Sequence, residues 1–88
     1  MSVWSQRITL HRNTTTCTDR DELLLSHRGE WMGEVTIAIG RVDGITHEKK
    51  LKVGGYVEYG PYAFGNFEIR LMEITDSNTA QFLVTRLS

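Results

Sequence analysis

Three histidines, one cysteine and a scatter of carboxylates are the residues of this 88-residue chain with chemistry to offer, and their spacing argues against that use. His11, His27 and His47 lie far apart, with no His-x-x-x-His pair and no paired-cysteine spacing of the kind that holds zinc. Glu48 beside His47 adds no specificity, so no metal is expected. Cys17 has His11 and His27 as its nearest bases, but a catalytic thiol needs a base held in geometry within a shaped pocket, which a chain this short seldom builds. There is no Gly-x-Ser-x-Gly elbow. Glu58 and Glu68 are conceivable as a pair on neighbouring strands, yet strand carboxylates ordinarily mark a solvated face rather than an acid and base. A phosphate-cradling glycine loop follows a strand and opens a helix, whereas the glycine-rich stretch here leads into another strand. The chain is therefore expected to be no enzyme and to carry no cofactor.

Contact chemistry remains. Residues 54–66 read Gly-Gly-Tyr-Val-Glu-Tyr-Gly-Pro-Tyr-Ala-Phe-Gly-Asn, with Tyr56, Tyr59, Tyr62 and Phe64 set among four glycines and the only proline. Tyrosine joins a broad apolar face to a polar tip at low conformational entropy, which suits contact with a protein, a base or a sugar. The plainer alternative is that Tyr59 packs inward beside Val57 while the glycines turn the sheet. Trp31, between Gly29 and Gly33 and beside Met32, reads as an exposed turn tip or the anchor of a contact. At least one of Trp4 and Trp31 is expected in the core. Arg70, like Arg41 and Arg86, is placed to meet an anion if a ring stacks on the tyrosines.

These residues need strands to hold them. Residues 5–11 alternate Ile8 and Leu10 against Arg7, Thr9 and His11, a half-buried strand. Residues 12–18 are polar and β-branched, either a loop or a solvated edge strand. Residues 18–28 carry helix signals: Thr18 as N-cap, acids in the first turn, His27 and Arg28 near the end, Gly29 after it. A short helix is preferred there over a strand. Val35, Ile37 and Ile39 share one face of a strand that runs into Asp43-Gly44, and a three-residue loop pairs Val35 with Val53 and Ile37 with Leu51. Arg41, Lys49 and Arg86 then share parity with core residues, so they must sit at strand ends or snorkel, while Lys50 and Lys52 face solvent. Lysines on an edge strand also guard it against aggregation.

Gly54-Gly55 is expected to bend the chain toward a second sheet, and Gly60-Pro61 to mark the next turn, opening a loop over residues 60–66 that holds Tyr62 and Phe64. Phe67, Ile69 and Leu71 alternate outward-pointing Glu68, Arg70 and Met72, and a closing hairpin pairs Leu71 with Val84 and Met72 with Leu83. The fold expected is mainly β: a small antiparallel barrel or sandwich of five to six strands with one short helix, in a single domain over residues 1–88.

Ten basic against eleven acidic residues give a net charge of -1, so nucleic acid is disfavoured as a partner. No apolar run approaches the roughly 20 residues of a membrane span, and nothing reads as a signal peptide. A single cysteine excludes an internal disulfide and favours a cytoplasmic location. The expected function is a protein-interaction module, a small inhibitor or adaptor of the kind phages direct at bacterial defences, with an unidentified protein partner and a homo-oligomer possible at this size. Small-ligand or nucleotide binding, and then single-stranded nucleic-acid binding, are the alternatives.

Overall fold

The computed structural model describes residues 3–42 and 46–88. Eight strands run through them: β1 (Trp4–His11), β2 (Thr15–Cys17), β3 (Leu24–Trp31), β4 (Glu34–Gly40), β5 (His47–Lys52), β6 (Tyr56–Tyr62), β7 (Gly65–Asp76) and β8 (Thr79–Arg86). They form two antiparallel four-stranded sheets, in the orders β1-β8-β7-β6 and β2-β3-β4-β5. Each sheet ends in edge strands. The fold is therefore an all-β sandwich and not a closed barrel, with eight strands in place of five to six and no helix among the described residues.

Alternation builds the core between the sheets. Ile8 and Leu10, Val35, Ile37 and Ile39, Phe67, Ile69 and Leu71, and Ala80, Phe82 and Val84 all point inward and are buried, joined by Leu23, Leu25, Leu51 and Tyr59. Each large apolar side chain buried in this way contributes about 1.5–3 kcal/mol before the entropy of ordering is charged against it.

The helix expected over residues 18–28 is absent because its signals serve a hairpin. The Thr18 hydroxyl accepts the Leu23 amide at 3.0 Å and donates to the Arg20 carbonyl at 2.6 Å, while the Thr18 amide donates to the Leu23 carbonyl. Asp21 and Glu22 follow one another at φ 62° and 51°, in the left-handed region that a right-handed helix cannot contain. The residue expected as a helix cap thus closes a four-residue loop, and Leu24-Leu25 enters β3. Residues 15–17 take the edge-strand alternative as β2.

Two registers differ from expectation by two residues each. Along β4 and β5 the partners are Val35 with Leu51 and Ile37 with Lys49, not Val35 with Val53. Parity is kept, so the same residues face inward. The Asp43-Gly44 turn itself lies outside the described residues. In the β7–β8 hairpin Asp76 pairs with Thr79, as the expected register requires, but two one-residue bulges then slip the ladder, so Leu71 meets Phe82 and Arg70 meets Leu83. The first bulge from the turn lies between Asp76 and Ile74, and the second between Glu73 and Leu71. Between them Ile74 pairs with Ala80, which is how an even-numbered residue joins a strand whose other inward positions are odd.

Gly54-Gly55 carries the chain from one sheet to the other. Gly54 holds φ at +87°, and its amide donates to the Leu71 carbonyl at 2.8 Å, which starts the β6 ladder. Gly60-Pro61, by contrast, is not a turn. It is a bulge within β6, between the Tyr59–Phe67 and Tyr62–Gly65 pairs, and the expected loop over residues 60–66 reduces to the two residues Ala63 and Phe64. A side chain at Gly60 would meet the Gly65 carbonyl oxygen at 2.9 Å, and φ there is +124°, so glycine is required.

Candidate interaction surface

The four aromatics of residues 54–66 part company in the fold. Tyr59 points inward at 2% exposure, takes His47 edge-on at 5.7 Å and lies 4.8 Å from the Tyr62 ring. Burial, and then the neighbouring Tyr62, push its phenol above the ordinary value, with Arg41 pulling the other way. Tyr62 and Phe64 are half-buried and stacked at 5.1 Å with 14° between planes. The Arg41 guanidinium sits 4.2 Å from the Phe64 centroid, and Tyr62 Oη shares a hydrogen bond with His47 Nε2 at 3.2 Å. The structure therefore spends these three rings mainly on the fold, as the plainer reading held for Tyr59.

The same end of the sandwich holds Trp4, which packs on the core against Phe67 and donates its indole N–H to Asp21 Oδ2 at 2.8 Å. Asp21 Oδ1 accepts from Arg86 Nη1 at 2.7 Å. Burial alone would raise the Asp21 pKa, but the bonds from Trp4 and Arg86 outweigh it and the net shift is downward. Arg86, which parity placed toward the core, is 8% exposed and held by this carboxylate. The pairing of Asp21 with Arg86 had no signal in the sequence, since the two lie 65 residues apart.

Tyr56 and Arg70 belong elsewhere. They are cross-strand partners on the outer face of their sheet, with the Arg70 guanidinium 4.8 Å from the Tyr56 centroid and bonded to the Gly54 carbonyl at 3.0 Å. Arg70 also pairs with Glu68 at 3.2 Å. Glu58 and Glu68 are indeed directly opposite one another, on this solvated face.

Trp31 caps the β3–β4 hairpin. Trp31 pairs with Glu34 around the two residues Met32 and Gly33, both at positive φ (52° and 79°), the geometry that matches strand twist in a two-residue turn. Trp31 is 78% exposed and Met32 83%. The next rung runs through Glu34 to Lys52, and Val53 follows at 55% exposure, leading through Gly54-Gly55 to Tyr56 at 54%. These four exposed side chains lie toward the crossover end, while Val3, Val42 and Leu87 are exposed elsewhere among the described residues. Met32 was read only as the neighbour of Trp31 at the tip, and Val53, expected opposite Val35, is instead exposed beyond the end of β5. The signal was present, in a Met-Gly pair at a tip and a valine just before Gly-Gly.

His27 is a fully buried histidine in β3, facing Ile37 at the bulge that leads to Gly29. Its Nδ1 accepts the Gly29 amide at 3.1 Å, while Nε2 has no partner among the described residues. Desolvation first, and then the Arg12 guanidinium, hold its pKa below the ordinary 6.5. An unfolded chain takes up a proton near 6.5 and the folded one resists it, so stability is complete above that pH and falls as pH drops below it. Urea midpoints are expected to decrease on acidification from about pH 7.5 to about pH 5.5. In a His27→Leu chain that slope should vanish, and an unchanged slope would assign it to another group.

Among the described residues no cluster of His, Cys, Asp or Glu could hold a metal, and Cys17 is a free, exposed thiol. The described residues form shallow concavities of about 230 Å³ beside Trp4, Gln6 and Asp19, and about 170 Å³ over Thr15, Ser26, Ala38 and Arg41. Neither contains a tyrosine. No family model, no curated protein and no solved structure matches the chain. No helix among the described residues is long and apolar enough to cross a membrane.

Proposed function

We propose that this chain is a non-catalytic protein-interaction module, of the inhibitor or adaptor kind, whose contact surface is the crossover end: Trp31 and Met32 as anchors, Val53 beside them, and Tyr56 on Arg70 at the far rim. The observation that carries this reading is the gathering of exposed Trp31, Met32, Val53 and Tyr56 at one end of the sandwich. Tryptophan, tyrosine, methionine and arginine are the residues that interfaces favour, and solvent contact at this scale costs free energy that a partner recovers. The two concavities formed by described residues fall below the roughly 300 Å³ at which ligand pockets begin and hold none of the tyrosines. The free thiol of Cys17 suits a reducing, cytoplasmic setting.

The test is affinity capture from the native cells with the wild-type chain, Trp31→Ala, Tyr56→Ala and Phe64→Ala in parallel. Loss of an anchor aromatic typically costs about 2 kcal/mol or more, so a captured protein should dissociate about thirtyfold more readily from Trp31→Ala. Tyr56→Ala reports how far the contact wraps. A partner kept by Trp31→Ala and lost by Phe64→Ala would move the contact to the opposite end and overturn the proposal.

A further inference from the structure

Each sheet edge is an unpaired row of backbone donors and acceptors, and the four edges of this sandwich differ. β2 is three residues long, and β6 is interrupted by the bulge at Gly60-Pro61. Part of β1 is held by the β2–β3 loop, where the Asp19 amide donates to the Gln6 side chain at 2.9 Å. β5 is different: six residues, His-Glu-Lys-Lys-Leu-Lys, in unbroken register with β4. Lys49, Lys50 and Lys52 are all exposed, and among the described residues none of them has an ion pair; Glu48, the one acid of the strand, is engaged by Arg28 at 3.7 Å.

The parity of these lysines matters. Lys50 and Lys52 lie on the outer face opposite Thr36 and Glu34, whereas Lys49 shares the inward face with Ile37 and Leu51 and is exposed only because no strand lies beyond it. A second copy meets the row with mixed charge. Antiparallel pairing of β5 with itself about Leu51 sets Lys50 against Lys52 on both sides, and like charges directly opposite are destabilising, whereas registers centred on Lys49 or Lys50 also set Glu48 against Lys50 or Lys52. The same row attracts a strand of opposite charge.

We propose that β5 is a receptor edge for an extended acidic segment of the partner protein, which adds as a fifth strand and sets carboxylates opposite Lys50 and Lys52 on the outer face and opposite Lys49 at the margin, with an apolar residue against Leu51. This rests on the reading of the chain as a protein-interaction module. Main-chain hydrogen bonds supply affinity and alternate side chains supply specificity in strand addition. A nucleic-acid strand offers charge but no strand backbone for this edge. An anionic membrane is disfavoured by Glu30 and Glu34, which flank the Trp31-Met32 tip that would have to insert.

The experiment is a titration of the labelled chain, followed by amide shifts, with a short capped peptide carrying glutamate at alternate positions around a valine, and with its lysine counterpart. Shifts are expected to concentrate on residues 47–52 for the acidic peptide only, with affinity about tenfold weaker at 1 M salt, where the screening length falls to about 3 Å. The Lys50→Glu/Lys52→Glu chain, altered only at exposed positions, should lose the acidic peptide and gain the lysine one. Absent shifts, equal binding of both peptides, or binding of an oligothymidylate or of anionic vesicles in place of the peptide would each overturn the proposal. The failure is separable: if Trp31→Ala releases the captured partner and the charge-reversed chain keeps it, the interaction module stands and the acidic segment falls.

Discussion

Asp21→Ala is expected to remove more than half of the chain's stability. The carboxylate takes two hydrogen bonds, from the Trp4 indole at 2.8 Å and from Arg86 at 2.7 Å, and Arg86 is nearly sealed from solvent. Removing one partner of such a pair costs about 3–5 kcal/mol where the other charge is left uncompensated, and Arg86 keeps its Nε bond to the Ser88 carbonyl at 3.1 Å. Because Asp21 keeps some water access, the low end of that range applies. For a chain this short the whole stability is on the order of 5 kcal/mol, so the variant keeps about 2 kcal/mol and unfolds at a far lower urea concentration. The acid limb has a defined place. The Asp21 pKa is lowered, so its contribution is present above the unfolded value of 3.8 and is lost as pH falls below it. Asp21→Asn, which keeps the shape and removes the charge, should be milder than alanine and should flatten that limb. Urea unfolding of the two variants across pH is the measurement, and equal midpoints for wild type and Asp21→Ala would show the pair to be superficial.

Tyr59→Ala is expected to be as severe, and to separate the core role of the residues 54–66 aromatics from a contact role. Emptying a fully buried aromatic position costs about 3–5 kcal/mol through lost transfer energy and the cavity left behind. Around Tyr59 the rings of His47, Tyr62, Phe64 and Phe67 would lose a common neighbour. Phe64→Ala and Tyr62→Ala, at half-buried positions, should cost less. Calorimetry or urea midpoints order the three. A Tyr59→Ala chain as stable as wild type would place the ring at the surface, and only then could it serve as an interaction probe.

The sequence showed its strands better than their count. Wherever alternation was long, as in Val35-Ile37-Ile39 or Ala80-Phe82-Val84, the inward face was readable and correct, because period 2 is a property of the backbone and survives a register slip of two. The crossover at Gly54-Gly55 was also legible, since two glycines in a strand pattern have few other uses. Residues 18–28 misled because Thr18 and the acids after it satisfy a hairpin loop as well as a helix start, and only Asp21 and Glu22 at positive φ decide between them. Bulges were invisible: nothing about Met72 or Thr75 announces an extra residue in the ladder. Of the residues singled out for contact, Trp31 was legible because glycines two residues to either side bracket an exposed tip, and Tyr59 differed from Tyr56 in parity, while the side taken by Tyr62 depended on the bulge at Gly60-Pro61, which had no signal.

β1 pairs with β8 along its whole length, from Trp4 with Arg86 to His11 with Thr79. Sheet β2-β3-β4-β5 is a run of neighbours in sequence, whose hairpins close over short loops, but the other sheet gains its outer strand only when the first and last strands of the chain meet. Closing so long a loop is entropically costly and is repaid only once both strands are in register. That cost predicts an order of assembly in which the meander and the β7–β8 hairpin come early and the docking of β1 comes late. The same docking brings Trp4 to Asp21, so one event of chain closure ties the two layers together.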